Sequence, residues 1–303
     1  MIENPDDLHL SAGEITLHLV PWLGGSVAAF RFRTTDLFRP LSDEGREARR
    51  VVDAGMFPMV PYANRLAGNL IRFHGREIHV RANNPPERFN VHGTGWHRPW
   101  KVEHLGPAEA RLVLDLHDEP EAWTYRARQS FALDGSGLGV ILELENTGPE
   151  TMPFGFGLHP WFPRDRDTVL GFGARWFHQE GPDMVALPAG PLPADFPNPG
   201  PLPDWRLNND FGGWSGQAEL EFPSRGVALR ISADPVFGHL MIYADPEQPF
   251  FCVEPQSNAA GGLGRDPTAS DPKEGVILLE PGEMARGRIR FDVLPLAPSG
   301  QKP

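Results

Sequence analysis

The chain has 303 residues, 40% of them apolar and 22% charged, a composition typical of a folded globular protein rather than a disordered one. Its 28 basic and 40 acidic side chains give a formal net charge of −12, which disfavours nucleic acid and anionic membranes as partners. The 33 glycines and 33 prolines disfavour a helical bundle, and a single cysteine excludes an intrachain disulfide framework.

The N-terminal segment lacks the basic stretch and apolar run of a signal peptide. No apolar stretch is long enough to span a bilayer. We therefore expect a cytoplasmic protein.

Short segments in which apolar and polar residues alternate predict β-strands in the first part of the chain. These segments are Glu14–Val20, Val27–Phe32, Glu77–Arg81, Trp100–Leu105 and Ala110–Leu116.

Two hairpins are predicted where glycine-containing connections join two such segments. Tyr125–Leu133 and Leu138–Glu145 flank Asp134–Gly137, and Ala218–Phe222 and Val227–Ser232 flank Pro223–Gly226. Later strands are predicted at His239–Tyr243, Phe250–Glu254, Gly275–Leu279 and Ala285–Val293.

No segment shows a sustained helical period, and two long stretches lack a strand pattern as well. Gly181–Trp205 holds eight prolines and is predicted to be a long loop on the surface or at the mouth of a site, and Pro255–Lys273 is a second irregular stretch. We predict an all-β protein, a large antiparallel β-sandwich formed by one domain over residues 1–303, with 295–303 as a frayed tail.

Nucleotide-binding and metal-binding motifs are absent from the sequence. The chain contains no G-x-x-x-x-G-K-[ST], H-E-x-x-H or C-x-x-C. His92 and His97 lie five residues apart, which puts them on opposite faces of a strand. We expect no metal and no cofactor, and a metal site assembled from distant residues is the remaining alternative.

Two segments in the first third of the chain place polar groups beside turns. Asn64 and Arg65 follow a proline-rich apolar run, and a guanidinium suits carboxylates, phosphates or vicinal hydroxyls; the alternative is a surface arginine paired with an acid. His92 precedes two glycines, and Trp96 offers a flat apolar face suited to a sugar ring; the alternative is a hairpin whose aromatic side chains pack in the core.

Two later segments hold a candidate acid and a candidate base. His159, flanked by aromatic residues and followed by Pro160, suits a general acid; the alternative is a buried histidine with its hydrogen bonds satisfied. Glu254 ends an apolar strand, where burial raises a carboxyl pKa toward that of a useful general base; the alternative is a salt bridge to an arginine. We interpret Cys252 as a small core residue rather than a nucleophile.

These four segments, FPMVPYANR, VHGTGW, GLHPWF and VEPQSN, resemble in their order the motifs of the aldose 1-epimerase (mutarotase) family of the galactose mutarotase-like superfamily. PGEMARGRIRF resembles the family's final strand pair, so the resemblance extends from Leu17 to Val293. It implies the galactose mutarotase-like supersandwich fold, a site in a groove on one sheet, a small sugar as substrate and no cofactor.

The resemblance also implies a role for each matching residue. Glu254 stands where the family has its general base, and His159 stands where it has its general acid. The substrate-binding residues that it implies are Asn64, Arg65, His92, Trp96, Trp161 and Gln256.

One position departs from the family pattern. When the segment is aligned on Phe211 and Trp214, Asn208 occupies the place of a sugar-binding aspartate. An amide there predicts a sugar with an acidic or modified substituent. The alternative is that Asp210 supplies the carboxylate through a local shift of register, which leaves an ordinary hexose specificity.

The implied activity is that of an isomerase that interconverts α and β anomers of a sugar. Glu254 would take the proton of the anomeric hydroxyl while His159 protonates the ring oxygen, from opposite sides of the ring. The alternatives are a mutarotase for hexose 6-phosphates or other acidic sugars, and a non-catalytic sugar-binding protein. Five arginines near the motifs are relevant to a phosphate: Arg72, Arg76, Arg81, Arg88 and Arg98. The sequence leaves the oligomeric state open.

Overall fold

The computed structural model of the protein describes residues 7–117, 122–193, 198–265 and 272–296. The strands in these ranges are β1 (Leu8–Ala12), β2 (Ile15–Val20), β3 (Ser26–Phe32), β4 (Thr35–Asp36), β5 (Met56–Met59), β6 (Leu70–Phe73), β7 (Arg76–His79), β8 (Lys101–Leu105), β9 (Glu109–Leu116), β10 (Tyr125–Asp134), β11 (Gly137–Asn146), β12 (Met152–Phe154), β13 (Gly157–Pro163), β14 (Val169–Phe172), β15 (Trp176–His178), β16 (Gly190–Pro191), β17 (Gly200–Pro201), β18 (Leu207–Gly212), β19 (Gln217–Phe222), β20 (Val227–Ala233), β21 (His239–Ala244), β22 (Phe250–Gln256), β23 (Ile277–Leu279) and β24 (Met284–Pro295).

Helical structure is limited to short segments within the described ranges. The α-helix α1 spans Asp43–Glu47. The 3₁₀ helices are Val51–Asp53, Ala67–Asn69, Gly95–His97, Pro182–Met184, Pro223–Arg225, Gly262–Gly264 and Pro272–Glu274. None of these helices has the length and apolar character needed to cross a membrane.

Two large antiparallel sheets pack on one core, as predicted from the sequence. The larger has eleven strands in the order β1-β2-β3-β5-β13-β22-β21-β18-β15-β16, with β4 on β3, and the smaller has nine in the order β17-β14-β19-β20-β24-β11-β10-β9-β8. Phe172 of β14 packs edge-on against Phe211 of β18 across the core, with ring centroids 4.9 Å apart. Two small sheets, β6-β7 and β12-β23, lie outside this sandwich order.

Burial patterns separate the outer strands from the central ones. In β19 every second residue is buried, which is the alternation that predicted this strand. Strand β22 is buried almost throughout, because both of its faces are covered. Phe251 and Val253 enter the core, so Glu254 and its alternate neighbours point to the other face of the sheet.

Most predicted strands are present, with small changes at their ends. Both predicted hairpins are confirmed as β10-β11 and β19-β20. The strand predicted over Gly275–Leu279 begins only at Ile277, because Gly275 has a left-handed φ of 65°. The strand predicted over Glu77–Arg81 is Arg76–His79.

The irregular stretches contain more structure than predicted. Strands β16 and β17 lie within the predicted loop Gly181–Trp205, of which residues 194–197 are outside the described ranges. The first two residues of Pro255–Lys273 belong to β22. Strand β24 continues to Pro295, and 297–303, most of the predicted tail, lie outside the described residues.

The ladder between β13 and β22 is interrupted at its centre. Register pairs stop at Gly157 and resume at Trp161, and the three residues between them have no ladder partner on β22. Each strand carries a proline in this gap, Pro160 and Pro255, and proline has no N–H to donate. His159 lies at the middle of this gap on β13. The two strands are therefore not joined by ladder hydrogen bonds at the position of this side chain.

Two loops beside β5 support each other through close backbone contacts. Gly95 donates its N–H to the carbonyl of Val60 at 3.0 Å. Gly93 has a left-handed φ of 63°, and a Cβ built on it would lie 2.2 Å from Cδ of Pro61. A side chain at position 93 would therefore be strained and would also collide with the neighbouring loop.

We predict that Gly93→Ala lowers the unfolding free energy by clearly more than Gly75→Ala. Gly75 also has a left-handed φ, 72°, but a Cβ there meets nothing within 4 Å. Gly75→Ala should therefore lower the unfolding free energy only by the backbone strain, about 1 kcal/mol. Gly93→Ala adds a steric collision with the neighbouring loop to the same strain. Urea unfolding of both variants measures the difference, and equal losses would mean that the two loops are not tightly packed.

Candidate active site

A cavity of about 280 Å³ opens on the face of the larger sheet that points away from the core. It collects residues from the loops after β5 and from β13, β18 and β22. The expected site residues that line it are Asn64, Arg65, His92, Trp96, His159, Trp161, Asn208 and Glu254. Asp210 and Gln256 do not line it.

His159 and Glu254 meet at the interrupted ladder. Nε2 of His159 lies 3.3 Å from Oε1 of Glu254, and the residues are only 9% and 3% exposed. The two residues are neighbours on adjacent strands, whereas the sequence analysis expected them to act from opposite sides of a sugar ring. A pair in contact can serve two oxygen atoms only if those oxygens are also neighbours in the ligand.

The alternatives considered for these two residues do not describe the structure. Among the described residues Glu254 makes no ion pair with an arginine, and its Oε2 has no hydrogen-bond partner. Nδ1 of His159 is buried and also has no partner there. Buried polar atoms in native proteins are nearly always satisfied, so these atoms are available to a ligand.

Burial determines the protonation of the pair. It raises the pKa of the Glu254 carboxyl well above 4.5, which Arg65 opposes and Asp210 reinforces. It also lowers the pKa of His159 to about 3, to which the charge of Arg39 adds. Both shifts favour the uncharged pair, in which one proton lies on the carboxyl and the imidazole is neutral.

His92 is fixed in one tautomer by Asn64. Both residues have left-handed φ, 58° and 67°, and the N–H of His92 donates to the carbonyl of Asn64 at 3.0 Å. In return the N–H of Asn64 donates to Nδ1 of His92 at 2.9 Å. Burial lowers the pKa of His92 well below 6.5, so the neutral ring carries its proton on Nε2. His92 is therefore a hydrogen-bond donor at the cavity wall.

Aromatic rings form one wall of the cavity. Phe57 stacks on His159 at 4.4 Å and on Trp96 at 5.2 Å, measured between ring centroids. Trp96 is 1% exposed and donates its indole N–H to the carbonyls of Val91 and Gly93, so it is also part of the packed interior. The expected core packing and the expected site role therefore apply to the same side chain.

Trp161 differs from Trp96 in its indole N–H. That group is buried and has no hydrogen-bond partner among the described residues. The guanidinium of Arg39 lies 4.4 Å from its ring centroid and fixes the ring from behind.

Each arginine that lines the cavity is paired with a glutamate. Arg65 forms a two-pronged ion pair with Glu87, at 2.8 Å and 3.1 Å, so the paired arginine considered from the sequence is present and lies at the site. Arg206 likewise binds both carboxylate oxygens of Glu180. Oε1 of Glu180 also accepts a 2.7 Å hydrogen bond from Nδ2 of Asn208.

The sequence analysis missed several cavity residues. These are Val52, Phe57, Asn84, Glu87, Val91, Met184, Arg206, Met241 and Tyr243. Arg206 had a usable signal, since it lies just before β18 and only two residues from Asn208, which was already a candidate. Glu87 and Asn84 had none, because they come from a loop whose position depends on the whole fold.

Asp210 is committed to partners away from the cavity. Its Oδ2 accepts the N–H of Ala260 at 2.9 Å, and its Oδ1 lies 3.2 Å from Nδ1 of His239. Asn208 thus lines the cavity and Asp210 does not, so the shift of register considered from the sequence has no support in these contacts. Gln256 is fully buried, and its amide has no partner among the described residues.

Comparison with known proteins identifies the class to which this fold and site belong. The aldose 1-epimerase family profile matches residues 6–292, so the chain belongs to the aldose 1-epimerase family. The uncharacterised protein YphB of Escherichia coli K12 is 35% identical over 295 residues, which cover 94% of this chain and 97% of YphB.

Solved structures share the fold. A crystal structure from Escherichia coli K12 has a TM-score of 0.87 and 33% identity, covering 96% of this chain and 99% of that one. A galactose mutarotase-like protein from Clostridium acetobutylicum has a TM-score of 0.83 at 17% identity, covering 96% and 95%. A galactose 1-epimerase from Lactobacillus acidophilus NCFM has a TM-score of 0.75 at 14% identity, covering 98% and 97%. The last two, below 25% identity, support the fold alone.

We predict that Glu254→Gln stabilises the protein and that the gain grows as the pH rises from about 4 to 8. The unfolded carboxyl ionises above 4.5, whereas the folded one resists ionisation, so the wild-type unfolding free energy falls as the pH rises toward the raised pKa. Glutamine does not ionise, so the variant lacks this pH-dependent loss of unfolding free energy. Thermal melting across this range measures the difference between the two proteins.

Glu221→Gln is the matched control, because it makes the same change at an exposed position of β19. Its melting temperature should follow that of the wild type across the pH range. A Glu254→Gln variant that melts lower than the wild type at pH 8 would show that Glu254 contributes a net stabilising ion pair instead.

Proposed function

We propose that this protein is an aldose 1-epimerase that interconverts the α and β anomers of an aldose. The observation that carries the proposal is the 3.3 Å contact between His159 and Glu254 in a cavity that could hold one sugar ring. The anomeric hydroxyl and the ring oxygen are bonded to the same carbon. Two adjacent titratable groups can therefore reach both oxygens from one side of the ring.

The proposed reaction uses one proton shared by the pair. The proton moves from Glu254 to His159, which leaves a carboxylate as base and an imidazolium as acid. Glu254 takes the proton of the anomeric hydroxyl while His159 protonates the ring oxygen, and the ring opens to an aldehyde. Rotation about the adjacent carbon–carbon bond and the reverse transfers close the ring as the other anomer.

The remaining cavity residues hold the rest of the ring while its anomeric end moves. His92 offers Nε2–H, Trp161 offers its indole N–H, and Arg65 offers guanidinium protons not used by Glu87. All three are hydrogen-bond donors, and sugar hydroxyls accept such bonds. Asn208, whose amide N–H is donated to Glu180, offers its amide oxygen as an acceptor at the cavity.

The substrate class favoured by the charges is a neutral aldose. A phosphate or sulfonate needs uncompensated positive charge, but Arg65 and Arg206 are each neutralised by a glutamate. The five arginines noted near the motifs do not line the cavity. Arg72 and Arg76, for example, are exposed and pair with Glu77 and Glu150.

We predict that Glu254→Gln and His159→Gln each lower kcat for anomer exchange by about 10²–10⁴-fold, the usual cost of losing a general acid or base. KM should change far less, because the residues that hold the ring remain. Saturation-transfer NMR of anomer exchange across a panel of aldoses provides the measurement.

Cys252→Ala is the control for these two variants. Cys252 is buried on the same face of β22, but it does not line the cavity. Exchange should stay within a few-fold of the wild-type rate. Sugar binding without exchange in the wild type would support the non-catalytic sugar-binding alternative and would refute the proposal.

We further predict that Asn208→Asp raises KM with a smaller effect on kcat. A carboxylate at 208 would lie against Oε1 of Glu180, where the amide now donates a 2.7 Å hydrogen bond. Like charges repel, and the cavity edge would lose its order. The double variant Glu180→Gln, Asn208→Asp exchanges the amide and the carboxylate between the two positions. Its KM should return most of the way to the wild-type value.

Steady-state kinetics with neutral and acidic sugars measure both variants beside the wild type. If Asn208→Asp alone improves KM for neutral hexoses, then position 208 rather than the Glu180 contact determines the choice of sugar.

A further inference from the structure

Three buried side chains outside the cavity lining converge on one point. His178 of β15, Asp210 of β18 and His239 of β21 are between 1% and 2% exposed. One ligand atom from each lies within 4.8 Å of the other two. The three residues are distant in sequence, which is why a search for metal motifs does not find them.

Backbone carbonyls fix the tautomer of both histidines. Nδ1 of His178 lies 3.0 Å from the carbonyl oxygen of Leu187, and Nε2 of His239 lies 2.7 Å from that of Lys273. A carbonyl oxygen can only accept, so each of these nitrogens carries the proton. The ring nitrogens that remain for a ligand are Nε2 of His178 and Nδ1 of His239, the second of which faces Oδ1 of Asp210. Metal-binding histidines almost always have this arrangement.

Asp210 is held in the same way. Its Oδ2 accepts the N–H of Ala260 at 2.9 Å, which leaves Oδ1 directed at His239, 3.2 Å from Nδ1. All three ligand atoms thus belong to side chains whose remaining polar atom is anchored by the backbone. Such a set is ordered before any ion arrives.

An ion pair between Asp210 and His239 does not explain the cluster. It accounts for only two of the three residues: a doubly protonated His239 would donate Nδ1–H to Asp210, and a divalent cation would displace that proton. Nε2 of His178 is buried and has no hydrogen-bond partner among the described residues. A lone pair without a donor is costly in the interior, and a cation would satisfy it.

We propose that His178, Asp210 and His239 bind a divalent first-row transition metal ion, with Zn²⁺ as the expected occupant. Two imidazoles and a carboxylate are a common protein ligand set for zinc, which usually takes a fourth ligand. Gln256, the register partner of His239 on β22, carries a buried amide without a partner among the described residues and is the candidate fourth ligand. The ion lies outside the cavity lining and stabilises β15, β18 and β21 without entering the proton transfers.

The direct test is metal content and Co²⁺ binding. The purified protein is stripped with a strong chelator, and Co²⁺ alone is titrated while visible d–d absorption is recorded. We expect one ion per chain, displacement of Co²⁺ by Zn²⁺, and a higher melting temperature when either ion is bound. No stoichiometric binding by the wild-type protein would overturn the proposal, whatever the variants do.

His178→Gln and Asp210→Asn locate the site. Each should weaken Co²⁺ binding by more than ~100-fold, since losing even an outer hydrogen-bond partner of a ligand costs about 10–100-fold. Circular dichroism of the stripped variants checks that they fold. His104→Gln, which removes a half-exposed histidine paired with Glu109, should bind Co²⁺ like the wild type.

A second cluster provides the competing outcome. His159, Cys252 and Glu254 also bring their ligand atoms within 4.8 Å. Binding there would add a cobalt–thiolate charge-transfer band and would be lost in Cys252→Ala. That result, with binding retained in His178→Gln, would also overturn the proposal.

Discussion

The site depends on a local failure of strand pairing between β13 and β22. Pro160 and Pro255 remove backbone donors at the centre of two interior strands, and the ladder opens where His159 and Glu254 face each other. The core covers one face of these strands, and the loops around the cavity surround the other. The two titratable side chains are thereby held in contact and buried. Burial raises the pKa of Glu254 and lowers that of His159, so both shifts favour the uncharged pair.

The charge distribution of the site contrasts with that of the whole molecule. The chain carries a net charge of −12, yet each arginine at the cavity is matched by one glutamate, as in Arg65–Glu87 and Arg206–Glu180. A balanced cavity rich in hydrogen-bond groups suits a neutral polyhydroxylated ligand. These ion pairs also order long side chains before the ligand binds. Less side-chain conformational entropy is therefore lost when the ligand binds.

Several buried polar atoms without a partner among the described residues lie at or near the cavity, and others, such as those of Ser26, Gln129 and Thr147, lie elsewhere. Glu254, His159 and Trp161 carry such atoms at the cavity, and Gln256 and His178 carry them nearby. Each costs free energy in the protein alone, and the two proposals made above give these groups a ligand that would satisfy them. The two groups call for different ligands, because hydroxyl groups can satisfy the first, whereas a bare imidazole nitrogen beside a carboxylate suits a cation.

The sequence by itself determined the class of fold and predicted eight of the residues that line the cavity. Alternation and glycine turns are local signals, so β10-β11 and β19-β20 were predictable, as were the motifs that contain His92, His159 and Glu254. Strands β13 and β18 had no such signal, because both of their faces are buried and proline interrupts the first. Only the tertiary structure decided that His159 touches Glu254, that Glu180 meets Asn208, and that Asp210 turns to His178 and His239. These contacts join strands far apart in the chain, and their register is determined by the packing of whole sheets rather than by any neighbouring residue.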